Sequence, residues 1–348
     1  MSKNIVVFAD GTGQEGGEGN NTNVYKMFNM IEDRTPKQVG FYDPGLGTDW
    51  QKVTGNIGGM GISRNIQQCY KFIFDYYESG DKIFLFGFSR GAATVRSLSS
   101  FIHHFGILPK SRPKLIKKAY AIYEISDPEL RRKRAEDFVR RHHNHWTKIE
   151  FLGCFDTVAA LGLPFKGASV ILDGIPGFRS SFQDFSLKES VANAYHALAI
   201  DDERLTFHPV LWDSALNSSQ KMRQVWFCGM HTDVGGGYAE QTLSDIPLVW
   251  MVGKAVEHGL LIYGRHKVQI VEDADGLMHN SRGNWLTKLY RAKVRSWDAA
   301  KFGKLVVHES VLERIKIRSG QNPAYEPWIK TEDFEVEPWV RYEDQSWS

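Results

Sequence analysis

The chain has 348 residues, 42% of them hydrophobic and 24% charged, with a formal net charge of +2. Such a composition excludes a disordered chain and a fibrous repeat, and near-neutrality excludes a whole-molecule polyelectrolyte, so no nucleic-acid partner is expected. The length suits one large α/β domain with insertions, read here as a single domain over 1–348. Cys69, Cys154 and Cys228 stand at long, irregular gaps in apolar surroundings, which points to buried thiols rather than a disulfide or zinc set.

In chain order, Asn4 to Ala9 is a short apolar strand feeding a loop that opens Asp10-Gly-Thr-Gly-Gln-Glu-Gly. Gly11, Gly13 and Gly16 spell G-x-G-x-x-G, a dinucleotide signature. The helix, however, starts only at Thr22, after further loop residues, which favours a rim of backbone N–H groups for an oxyanion or a phosphate. A strand from Gln38, a helix with Ile66, Tyr70, Ile73 and Tyr77 on one stripe, and a strand from Lys82 give a βαβ rhythm. That rhythm predicts a mostly parallel sheet with helices on both faces and functional loops at the strands' C-terminal ends.

The strand from Lys82 runs into Gly87-Phe88-Ser89-Arg90-Gly91, which matches G-x-S-x-G. A strand before this motif and a helix after it are the context of a nucleophile elbow, in which a strained turn holds the serine above the sheet. The competing reading is a plain strand-turn-helix whose serine caps the helix.

Residues 108–147 form a basic helical insertion or cap. Lys110 to Lys148 carries 12 Lys or Arg against 5 Asp or Glu, with two helices expected and Asp127 capping the second. A solvated helix pair, a partner surface and a peripheral contact with anionic lipid all fit this segment. His142, His143 and His145 lack a supporting third ligand, and no metal is expected.

The next strand ends at Asp156, Leu187 to Leu198 reads as a helix, and a strand through Gln224 to Met230 ends at His231. Residues 285–348 read as an aromatic- and turn-rich C-terminal extension with no nameable chemistry. The N-terminus enters a strand with no charged-then-apolar leader and no run has the length of a membrane span, so a cytoplasmic location is expected, with signal-independent secretion also open.

Three strand ends thus deliver Ser89, Asp156 and His231 in the order serine, acid, histidine. Serine needs an imidazole to take its proton, and the imidazole needs a carboxylate to fix its tautomer. His308, His196 and His208 are rival bases and Asp233 a rival acid. The oxyanion hole is expected from the N–H of Arg90 with Gly11 or Thr12, and Asp10, Phe88 and Asp233 are expected against substrate.

Asp10-Gly-Thr, Tyr42-Asp-Pro-Gly-Leu-Gly-Thr, the elbow, Phe155-Asp-Thr-Val, His196-Ala-Leu-Ala-Ile-Asp-Asp-Glu-Arg and His231-Thr-Asp-Val-Gly-Gly-Gly-Tyr together resemble the DUF2235 family of α/β-hydrolases. They are also similar to the catalytic domain of the first class of type VI secretion lipase effectors, which act as phospholipases. The resemblance covers about residue 3 to about residue 260. It implies an α/β-hydrolase-like fold with Ser89 as nucleophile and Asp156 and His231 as its partners. The expected activity is a cofactor-free serine esterase acting on an ester or lipid small molecule. Two other readings stay open: a nucleotide- or phosphate-binding module built on the Gly11 to Gly19 loop, and a non-catalytic scaffold.

Overall fold

The computed structural model describes residues 2–11, 16–17, 19–45, 57–158, 187–283 and 287–347, with 57–60 as backbone alone. Eight strands form one sheet: β1 (Asn4–Ala9), β2 (Gln38–Asp43), β3 (Lys82–Phe88), β4 (Ile149–Phe155), β5 (Val191–Ala199), β6 (Lys221–Phe227), β7 (Leu305–His308) and β8 (Phe334–Glu337). Their order is β2-β1-β3-β4-β5-β6-β7-β8, and every neighbouring pair is parallel. All C-terminal tips therefore lie along one edge, where α/β proteins build their sites.

Alternation along the strands fills two cores. Ile5, Val7, Ile83 and Leu85 face α2 (Ile57–Tyr76) and α3 (Arg90–Phe105), while Val6, Phe8, Phe84 and Phe86 face α1 (Asn23–Met30) and the later helix Thr242–Glu257. The expected stripe is buried: Ile66, Tyr70 and Ile73 on α2, and Tyr77 just past its end. The parallel sheet with helices on both faces is what the βαβ rhythm predicts, and the architecture is the α/β-hydrolase-like one that the family resemblance implies.

The expected helix at Leu187–Leu198 is a correction. Those residues hold β5, which pairs with β4 on one side and β6 on the other. Ala192, Ala194, Ala197 and Ala199 carry helix propensity, but the segment is a central strand with both faces covered, and that tertiary setting overrides propensity.

In the basic insertion, α4 (Leu115–Tyr123) and α5 (Pro128–His142) bury Leu115, Ile116, Tyr120, Tyr123 and Phe138 in the core on the α3 side. Asp127 caps α5 by accepting the N–H of Leu130 at 2.8 Å. The pair meets α3 at Ser97, Phe101 and Phe105. At 1.5 Å per residue those contacts lie roughly 12–24 Å along the helix from Ser89. The two helices thus flank α3, with Lys117, Lys118, Arg132, Lys133, Arg134, Arg140 and Arg141 turned to solvent. Among the described residues, no helix is long and apolar enough to cross a membrane.

Candidate active site

Ser89 stands between β3 and α3 with φ 57° and ψ −120°, a left-handed conformation that non-glycine residues seldom adopt. The flanking glycines make the turn sterically possible. A Cβ on Gly91 would lie 2.0 Å from the carbonyl oxygen of Ala9, and one on Gly87 would lie 2.5 Å from that of Gly91. The main chain fixes the elbow from the far side, with the Ser89 N–H donating to Phe155 O at 3.1 Å. The Ser89 side chain makes no cap hydrogen bond to α3. It meets Nε2 of His231 at 2.8 Å instead.

His231 opens the short helix α6 (His231–Gly235), placed by the turn after β6. Its Nδ1 lies 2.6 Å from Oδ2 of Asp156. With the Nδ1 proton directed at the carboxylate, Nε2 is the acceptor for the serine hydroxyl.

Asp156, at the tip of β4, is fully buried and also holds a positive φ, 38°. Its turn is pinned by His196 on β5, whose Nε2 accepts from the Thr157 N–H at 3.1 Å. Burial, followed by the charge of Arg96, pushes the His196 imidazole down to about 3, so it serves here as a neutral acceptor.

Oδ1 of Asp156 accepts from the Ala199 N–H at 3.1 Å and from Nη1 of Arg295 at 2.6 Å; Oδ2 accepts from Nη2 of Arg295 at 2.9 Å. Burial raises the Asp156 carboxyl, but the Arg295 charge and the hydrogen bonds from His231 and Arg295 prevail and hold it well below the usual carboxylate range. Arg295 lies in the segment that reads in sequence as lacking chemistry. No local signal could have found it, because its carboxylate partner is 139 residues away.

The chain matches the family described as "T6SS, Phospholipase effector Tle1-like, catalytic domain" over residues 3–254. The chain belongs to this family. A curated relative of this Tle1-like domain is the uncharacterized protein YEL023C of Saccharomyces cerevisiae, 31% identical over 186 residues, 46% of this chain and 27% of that protein. Among solved structures, an uncharacterized protein from Pseudomonas aeruginosa superposes with a TM-score of 0.48 at 18% identity, covering 75% of this chain and 46% of that one. A Tle1 effector bound to the VgrG spike of the type 6 secretion system gives 0.38 at 16% identity, over 69% and 52%. A lipase/esterase from Lactobacillus plantarum gives 0.31 at 13%, over 60% and 68%. The chain spans about a quarter of the length of the yeast relative and under half that of the Pseudomonas protein.

Asp10, Phe88 and Asp233, the residues expected against substrate in the Tle1-like domain, are all buried beside the Ser89–His231–Asp156 residues. Asp10 is buried and accepts from Thr22 Oγ1 at 2.5 Å, Tyr42 OH at 2.8 Å and the Gly11 N–H at 2.7 Å. Burial, opposed by those bonds, pushes its carboxyl up to about 6. Phe88 packs its ring against His231, centroids 4.6 Å apart. Asp233 accepts from the Met230 and His279 N–H groups, each at 3.0 Å, and pairs with Nδ1 of His279 at 2.7 Å. Each is occupied in organising the loops that carry the site. For Asp10 and Asp233 the physical reason is that a buried carboxylate takes up the hydrogen-bond donors around it.

The rival base His308 bonds Ser310 at 2.9 Å and stacks on Phe227, while His208 bonds the carbonyl of Lys293. Gly11 lies beside Ser89, where a Cβ would stand 3.4 Å from the serine Cβ, but its N–H is taken by Asp10. Thr12 lies outside the described residues.

Proposed function

We propose that the chain is a serine hydrolase that cleaves carboxylic esters of lipids, phospholipase-like, through an acyl-enzyme intermediate. The observation that carries this reading is the pair of contacts at His231, 2.8 Å to Ser89 Oγ and 2.6 Å to Asp156. The Ser89 hydroxyl attacks the ester carbonyl while its proton passes to Nε2, and the imidazolium returns that proton to the departing alkoxide. Water, activated by the same nitrogen, then attacks the acyl-serine, releasing a fatty acid and restoring the hydroxyl.

The negative charge on the carbonyl oxygen needs N–H donors. The N–H of Arg90 is well suited, since the first N–H groups of a helix have no intrahelical acceptor. The Gly11 N–H is occupied by Asp10, and Gly11 supplies room beside the serine. Membership in a family of phospholipase effectors favours a phospholipid as the ester.

Ser89→Ala should lower fatty-acid release from phospholipid vesicles by roughly 10³-fold or more and abolish labelling by a fluorophosphonate probe, at an unchanged melting temperature. Undiminished labelling of the variant would overturn the assignment.

A further inference from the structure

Arg295 is reached by a strap that the loop after β5 holds in place. Leu205 N–H donates to Arg291 O at 2.9 Å, Lys293 N–H to Glu203 O at 2.8 Å, and His208 meets Lys293 O at 2.9 Å. Trp297 then packs edge-on against Trp226, centroids 6.0 Å apart. The strap delivers a guanidinium that is 1% exposed. Each terminal nitrogen makes two bonds, Nη1 to Asp156 Oδ1 and Ala199 O, both at 2.6 Å, and Nη2 to Asp156 Oδ2 at 2.9 Å and Phe207 O at 2.7 Å. All four terminal N–H groups are therefore committed, two of them to the carboxylate that orients His231.

We propose that Arg295 is a positioning residue of the Ser89–His231–Asp156 triad, and that the catalytic unit of this chain includes the 291–297 strap, beyond the family-matched residues 3–254. The proposal rests on the reading of Ser89 as nucleophile. Asp156 is fully buried at a strained φ, so its oxygens need fixed donors, and its charge needs a cation or a proton. A planar fork answers both needs. A lysine ammonium has three donors and cannot span both oxygens and two carbonyls in one plane.

The other charged groups facing the pair are already engaged. Asp202, whose Oδ2 accepts the His231 N–H at 3.2 Å, is held by Arg204 at 3.0 and 2.6 Å. Asp201 accepts from Gly229 N–H and Tyr325 OH, His196 accepts from Thr157, and Arg96 bonds Val210 O and covers Trp212. Among the described residues, Arg295 is the cation in direct contact with Asp156.

Removing a cation beside the Asp156–His231 pair makes the pair easier to protonate whichever partner takes the proton, so its apparent pKa rises. The test compares the full-length wild type with Arg295→Met and Arg295→Lys, using kcat/KM for a soluble ester from about pH 5 to about pH 9. Arg295→Met should lose about 100-fold near neutral pH, with the acid limb displaced upward by about one unit. Arg295→Lys keeps the charge but not the fork, and should lose activity with the limb little moved. A folded Arg295→Met variant with an unmoved acid limb would make Arg295 a packing residue and overturn the proposal. If that variant does not fold, Arg295→Lys decides. Wild-type kcat/KM overturns the proposal; a loss of about ten-fold or more at an unchanged melting temperature supports it. Absence of esterase activity and of Ser89 labelling in the wild type is the separate result that removes the triad reading, and this inference with it.

Discussion

His231 is held so that its Nε2 faces Ser89. Its N–H is bonded to Asp202, its Nδ1 to Asp156, Phe88 lies along the ring and Phe207 meets it edge-on at 5.2 Å. Phe88 reaches that place because Gly235 leaves space: a Cβ there would stand 2.0 Å from the Phe88 ring. Gly235→Ala should therefore displace Phe88 and the imidazole together. The expected result is a stability loss of ~1–3 kcal/mol in urea unfolding and a fall in kcat/KM of about 100-fold. Adding Phe88→Leu should recover most of the stability, since the smaller side chain relieves the overlap; no recovery would mean that the glycine serves the backbone instead. Residues of this kind divide sharply in how far sequence shows them. Ser89, Asp156 and His231 are legible because each follows an apolar run that reads as a strand. Arg295 is not, because its role depends on a contact that only the folded chain creates. Asp10 and Asp233 stand at equally suggestive positions, yet their carboxylates are taken by loop donors that sequence spacing does not reveal.

At the scale of elements, strands bounded by glycine or by a chemistry-bearing residue are readable, and β5 shows the limit. Four alanines make Val191–Ala199 look helical, and only its place between β4 and β6 makes it a strand. The junction of β7 and α8 (Glu309–Arg318) carries a pH signature of the same origin in burial. His308 is 1% exposed, caps α8 by accepting the Ser310 N–H at 3.3 Å, and burial followed by the charge of Lys254 pushes its imidazole down to about 3. A histidine with a depressed folded-state value contributes stability that is complete above its unfolded value. That contribution is lost as the pH falls, because the unfolded chain takes up a proton that the fold refuses. Asparagine is also a good cap, so His308→Asn keeps the helix start and removes the titration. Between about pH 7.5 and about pH 5 the wild type should lose ~2 kcal/mol more than this variant in urea unfolding. Parallel profiles would show that His308 is protonated in the fold.

Across the whole molecule, the site depends on contacts between the first and last thirds of the described chain. Asn23, in α1, donates through its side-chain amide to Val234 O at 2.9 Å and Ser244 O at 2.8 Å, tying α1 to the helix that begins with His231 and to α7 (Thr242–Glu257). One turn further on, Lys26 meets Asp245 of α7 at 2.6 Å, with side chains 5% and 3% exposed. Burial pushes the Asp245 carboxyl up while the Lys26 charge and hydrogen bond pull it down; Asp245 also accepts the Val271 N–H at 2.9 Å. A buried pair of this kind adds little over a well-packed apolar pair, but losing one partner strands the other charge. Lys26→Met should therefore cost ~3–5 kcal/mol in urea unfolding at neutral pH. The cost should shrink toward acid pH, because the unpaired carboxyl, raised further by the loss of its cation, takes up a proton in the fold before it does in the unfolded chain. Lys26→Met/Asp245→Asn retains an acceptor for Val271 and removes the stranded charge, so it should regain more than half of the loss at neutral pH. The proposed esterase activity should follow the same order, since loosening α1 from α7 also loosens its grip on α6 through Asn23. A double variant as unstable as the single one would place the cost in the packing of the Lys26 stem rather than in its charge.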